Sequence, residues 1–171
     1  AVAAEILKLG RKTWVVAGDL GDEATVTRLF DESVRSLGPL DGFVGNAGIW
    51  PEQDVSIREM GMARWRDTMR ANVDAIFLTT RAAIGRMRTP GQIVLVGSTA
   101  GQRGEAFHAD YAASKGAMIS FVKSLCIECA PGSIAATSMV AAPAGTGRSA
   151  ACNAPKVQPA AAATPAIATT R

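Results

Sequence analysis

A tyrosine and a lysine stand four residues apart in "DYAASKGAM", at Tyr111 and Lys115. Residues spaced i, i+4 on a helix share a face, so a helix here aims a phenol and an ammonium at one place. A phenol alone, with a pKa of about 10, is a poor acid–base catalyst at neutral pH. A cation ~5 Å away, at an effective dielectric of ~20, favours a phenolate by ~3 kcal/mol, or about two pKa units. That brings a phenol towards the range where it trades a proton with an alcohol or a carbonyl. Ser98, thirteen positions earlier, offers a hydroxyl to hold the same oxygen. Proton transfer alone does not oxidise an alcohol; a hydride must also move, which implies a nicotinamide.

The surrounding segments must position these groups. Residues 1–9 read as the end of a helix stopped at Gly10, and Thr13–Ala17 as a strand that runs into Gly18, Asp19 and Leu20. "DEATVTRLFDESVRSLG" is an amphipathic helix with Val26, Leu29, Phe30, Val34 and Leu37 on one face. "LDGFVGNAG" is a short buried strand entering a glycine-rich turn. Residues 62–88 make the longest helix, with the arginines between Arg58 and Arg88 as its solvated positions. "GQIVLVGS" is the clearest strand, apolar on both faces as a parallel sheet demands. A glycine-rich loop then leads to a helix over residues 110–128. Strand and helix alternate, which gives an α/β class with a parallel sheet. Ligands of such sheets collect at the strands' carboxyl ends, and Asp19, Asn46 and Ser98 all fall there.

In this order and spacing the motifs resemble the short-chain dehydrogenase/reductase family, in its 3-oxoacyl-carrier-protein reductase and polyol dehydrogenase group. The resemblance rests on Gly18-Asp19-Leu20, Asn46-Ala47-Gly48, Asn72 in "RANVDAIF", Gly97-Ser98-Thr99-Ala100-Gly101 and Tyr111-Ala-Ala-Ser114-Lys115. It implies an oxidoreductase that interconverts a secondary alcohol and a ketone with NAD or NADP. Tyr111 would be the general acid/base, and Lys115 would lower its pKa and bind the nicotinamide ribose. Ser98 would orient the substrate oxygen, and Asn72 would hold a water of the proton relay. Asp19 and Leu20 would flank the adenine; Asn46, Ala47 and Gly48 would brace the central sheet and pass beside the cofactor. The resemblance also implies a homo-oligomer through helices 62–88 and 110–128. His108 reads as an exposed loop histidine, and Trp50 and Gln102 as minor candidates for the substrate mouth.

The resemblance covers residues 1–132, as a partial Rossmann-like, doubly wound domain. The family's first two strands and the turn Thr-Gly-x-x-x-Gly-x-Gly do not precede Ala1. Residues 133–171 are rich in Ala and Pro, and a tail of that composition buries too little surface to offset its ordering entropy. "SIAATSMV" is its one candidate strand. A chain truncated in this way is expected to bind cofactor poorly. Two other readings stand beside the enzyme: a non-catalytic fragment that pairs with a full-length relative, and a sugar-nucleotide epimerase or dehydratase, which also uses Tyr-x-x-x-Lys.

The remaining totals exclude other classes. The net charge of +3 comes from Arg148, Lys156 and Arg171 in the tail, not from a basic face that would grip nucleic acid. No apolar run approaches the roughly 20 residues of a membrane helix. Cys126 and Cys129 mimic Cys-x-x-Cys, but no second pair or histidine cluster completes a zinc set. Three cysteines without a disulfide pattern suit a reducing cytoplasm.

Overall fold

The computed structural model describes residues 2–141 and 166–169. In chain order the elements are α1 (Val2–Lys8), β1 (Thr13–Val16), α2 (Glu23–Leu37), β2 (Leu40–Gly45) and α3 (Met62–Met69). A π-helical turn (Arg70–Asp74) joins α3 to α4 (Ala75–Ile84). Then come β3 (Met87–Ser98), α5 (Ala100–Arg103), α6 (Ala109–Cys129), a 3-10 turn (Ala130–Gly132), β4 (Ile134–Ala141) and β5 (Ala166–Thr169).

The sheet has the order β2-β3-β4, with both neighbours parallel to β3. Phe43 and Gly45 of β2 pair with Ile93 and Leu95 of β3, so all four share one face. Gly45 keeps the chains close: a Cβ there would lie 2.7 Å from Leu95 Cδ2. Ile93 and Leu95 are fully buried, each worth roughly 1.5–3 kcal/mol. On this face α6 packs Met118, Val122 and Leu125 beside Ile76 of α4. Next to them α2 contributes Val26, Leu29 and Phe30, which meet Leu78 and Ala83 of α4. The other face carries exposed Val44 and Met139.

Local chemistry sets the element ends. Asp22 caps α2 by accepting the Thr25 N–H at 2.8 Å, and hydrogen bonds from Thr25 hold its carboxyl below the usual carboxylate value. Gly38, at φ 92°, lets the chain leave α2 while its N–H still reaches Val34 O; a side chain would strain that backbone.

Several boundaries differ from the sequence reading. The long helix ends at Ile84, not at 88. Met87 pairs with Leu40 and opens β3, and the Leu40 N–H is donated to Arg86 O; Pro90, three residues on, cannot donate to a helix. The expected loop after Ser98 holds the short helix α5. "SIAATSMV" does form β4, which extends the sheet past residue 132. β1 is not hydrogen-bonded to the three-stranded sheet among the described residues; it pairs antiparallel with β5, at the far end of the Ala/Pro-rich tail. The rest of that tail, 142–165 and 170–171, lies outside the described residues. No helix of the described residues is long and apolar enough to cross a membrane.

Candidate active site

The carboxyl end of β3 and the first turns of α6 form the centre. Tyr111 and Lys115 face the same way, with Lys115 Nζ 5.7 Å from the centre of the Tyr111 ring. Lys115 is only 5% exposed, and its ammonium donates to Val96 O at 3.1 Å. No carboxylate of the described residues lies within salt-bridge distance of it. Burial pushes this ammonium below the usual lysine value. Holding a buried charge without an opposite charge beside it costs free energy. Tyr111 is half-buried. Gly101 brings α5 against α6: a Cβ there would sit 2.5 Å from the Lys115 carbonyl carbon.

Asn72 is fully buried in the π-helical turn. Such a turn interrupts the regular i→i−4 ladder and recurs at functional sites. Its Oδ1 accepts the Ile49 N–H at 2.7 Å, and its Nδ2 donates to Ile49 O and to Ser114 Oγ, each at 3.0 Å. Ser114 in turn donates to Tyr111 O at 2.8 Å. One amide thus ties the turn after β2 to the helix that bears Tyr111. Gly48 lies between them: a Cβ there would be 3.0 Å from Asn72 Oδ1 and 3.6 Å from Lys115 Nζ. Asn46 and Gly48 are exposed and Ala47 is half-buried.

Ser98 is half-buried at the end of β3, and its Oγ accepts the Ala100 N–H at 3.2 Å. Asp19 stands away from this group. Its carboxylate accepts the Gly21 N–H at 2.8 Å and an Arg70 N–H at 2.6 Å, while Leu20 packs against the α2 cluster.

Three features escape a reading by motif. His108 is not an exposed loop histidine; it is 4% exposed, with ring nitrogens 2.8 Å from Pro51 O and 3.2 Å from Ala106 O. Trp50 stacks on it, with centroids 4.1 Å apart and planes at 20°, and meets the Tyr111 ring edge-on at 4.5 Å. Arg64 is not a solvated helix position but the partner of Asp110, which is completely buried. Arg70, Arg81, Arg86 and Arg88 are likewise paired, with Asp19, Glu23, Asp31 and Asp41. The aspartate before Tyr111 was the one sequence signal for the Arg64 pair.

The structure thus gathers a tyrosine and a buried lysine without a carboxylate partner over the carboxyl edge of a parallel sheet. The model of the short chain dehydrogenase family matches residues 1–156, and the chain belongs to that family. It is 37% identical over 144 residues to "Inactive 2-(S)-hydroxypropyl-CoM dehydrogenase 2" of Xanthobacter autotrophicus, covering 77% of this chain and 62% of the relative. It is 36% identical to the NADP-dependent (R)-specific alcohol dehydrogenase of Lentilactobacillus kefiri, over 67% of this chain and 46% of that one. A solved short-chain dehydrogenase/reductase from Serratia marcescens superposes with a TM-score of 0.75 at 27% identity, covering 80% of this chain and 56% of that one. The chain spans about half the length of the curated relatives it matches.

Proposed function

We propose that the chain carries the catalytic part of an NAD- or NADP-dependent oxidoreductase that interconverts a secondary alcohol and a ketone. The observation that carries this reading is the buried Lys115 ammonium, without a carboxylate partner, beside the Tyr111 ring at a strand's carboxyl end. The residues present suit a nicotinamide ribose there: Lys115 has donors to spare, and Gly48 leaves room that a Cβ would fill. A bound nicotinamide would supply or accept the hydride.

The chain's own groups do the rest. Tyr111 gives its hydroxyl proton to the ketone oxygen as that oxygen gains charge, and takes it back in the oxidative direction. Lys115 stabilises the phenolate left behind and holds the ribose. Ser98 donates to the same substrate oxygen. Asn72 fixes the turn through Ile49 and holds the water that returns the proton. Asp19 and Leu20 would flank the adenine of a bound coenzyme, and Asn46, Ala47 and Gly48 would line its path. Relatives named as alcohol and carveol dehydrogenases support the alcohol/ketone class.

These 171 residues contain no Thr-Gly-x-x-x-Gly-x-Gly turn, whose backbone amides would cradle a pyrophosphate. We therefore infer that a polypeptide of these residues alone, placed in the cytoplasm, holds its coenzyme weakly. Equilibrium dialysis with NADH and NADPH tests this; tight binding of either would overturn it.

A second reading is pairing with another copy or a full-length relative through α3–α4 and α6. Half-exposed Phe77 and a cleft of about 260 Å³ between these helices, lined by Ile76, Phe77, Met118 and Phe121, favour it. Co-purification with activity indifferent to Tyr111→Phe would make that role the sole one.

A further inference from the structure

We propose that Trp50 is the specificity-determining wall of this site, and that it selects ketones bearing a flat aromatic group beside the carbonyl. The proposal deepens the oxidoreductase reading and rests on it for the position of the reacting oxygen at Tyr111.

Four observations converge on Trp50. Its backbone is anchored, because the preceding Ile49 donates its N–H to Asn72 Oδ1 and accepts from Asn72 Nδ2 at its C=O. One face of the indole is backed by the His108 ring at 4.1 Å. That backing is held in place: His108 is buried, and in either neutral tautomer one ring nitrogen donates to a carbonyl, that of Pro51 or that of Ala106. The indole sits 4.5 Å from the Tyr111 ring with the planes at 72°. Yet Trp50 remains 38% exposed.

An indole backed on one face, partly exposed and in contact with the Tyr111 ring is a preorganised aromatic surface. Aromatic pairs gain from offset-stacked or edge-to-face contact beyond the area they bury. A substituent on a carbonyl held at Tyr111 would then lie against the indole that borders this ring. Exposed Ile49 and Phe107, the chain neighbours of Trp50 and His108, extend the apolar rim. Phe107 has φ 62°, a conformation bulky residues rarely adopt. Its carbonyl accepts from the Val55 N–H at 3.1 Å and from Arg64 at 3.4 Å, which holds that turn of the rim in place.

The test uses binding, so it does not depend on turnover. Acetophenone and 2-butanone are titrated into the full chain with excess NADP, and affinity is read by ligand-observed NMR. Trp50→Ala, Trp50→Leu and Trp50→Phe are compared with the parent, each checked for a native thermal transition. Acetophenone affinity is expected to fall about tenfold in Trp50→Ala and Trp50→Leu and to stay within about twofold in Trp50→Phe, as aromatic contact predicts. 2-Butanone affinity is expected to change little in all three. Equal weakening of both ketones, no loss of acetophenone in the leucine variant, or no detectable acetophenone binding by the parent would overturn the proposal. Hydride transfer is scored separately: a Trp50-dependent acetophenone preference without transfer from the coenzyme counts against the oxidoreductase reading alone, and transfer without that preference overturns the wall alone.

Discussion

Asp110 accepts a hydrogen bond from Arg64 Nε at 3.0 Å, one residue before Tyr111 in α6. Thr68 Oγ1 donates to the same carboxylate oxygen at 2.8 Å. Arg64 also reaches the carbonyls of Gln53 and Phe107. A single buried ion pair thus fastens α3, the loop after β2 and the start of the Tyr111 helix together. Removing one partner of a buried pair strands the other charge and costs about 3–5 kcal/mol. Arg64→Met is expected to lose about 3 kcal/mol in urea unfolding, and Arg64→Met/Asp110→Leu to recover part of it. An unchanged unfolding midpoint in the single variant would contradict this role.

The same carboxylate predicts an acid sensitivity. Burial works to raise the Asp110 pKa, but hydrogen bonds from Arg64, Thr68 and the Tyr111 N–H outweigh it, and the carboxyl lies below its usual value. A depressed carboxylate contributes fully above the unfolded value of about 3.9 and loses that contribution as pH falls through the folded value. Stability should therefore drop below about pH 4, and less steeply in Asp110→Asn. Parallel acid profiles for the two proteins would remove Asp110 from the explanation.

Lys115 shifts in the opposite sense. Burial lowers its pKa, so the folded chain disfavours the ammonium that the unfolded chain keeps. Between the lowered value and the ordinary one of about 10.4 the unfolded state binds more protons, and stability rises with pH. At neutral pH, Lys115→Met is expected to be more stable than the parent by ~1 kcal/mol, since no charge is buried. The gap should narrow as pH climbs towards 10, in thermal melts without ligand. A variant less stable than the parent at every pH would show that the Val96 contact outweighs the buried charge.

Asn72→Ala removes the hydrogen-bond partners of both backbone groups of Ile49. An unsatisfied group costs up to about 1–3 kcal/mol when buried and less at part-buried Ile49, and the loosening should be local. Amide exchange at Ile49 is expected to accelerate by at least about tenfold, with exchange at Ile93 and Leu95 unchanged apart from any global loss. Undisturbed protection at Ile49 would contradict the anchoring role.

The sequence made part of this legible, and the reason is the range of the interactions. Helices α2 and α6 and the strand around Ile93 follow from local periodicity and punctuation, which a linear reading captures. The juxtaposition of Tyr111 and Lys115 follows from i, i+4 geometry alone. The arginine partners did not follow: Arg64 meets Asp110 across 46 positions, and nothing local distinguishes it from a solvated helix residue. The buried His108 and its stack with Trp50 are long-range too, joined through Pro51. The helix expected over residues 62–88 stops at Ile84, because Met87 pairs with Leu40 across the sheet and belongs to β3, a contact that spans 47 positions.

The central claim is that Tyr111, seated beside Lys115, passes the proton that accompanies hydride transfer. The most direct measurement is transfer of deuterium from 4-deuterated NADPH or NADH to acetophenone, read by mass spectrometry over long incubation at high coenzyme concentration. The account predicts deuterium at the carbinol carbon with the parent chain and a loss of at least about a hundredfold in Tyr111→Phe, the scale of a general acid. Equal transfer by the two proteins, or none from a chain shown by dialysis to hold the coenzyme, would contradict it.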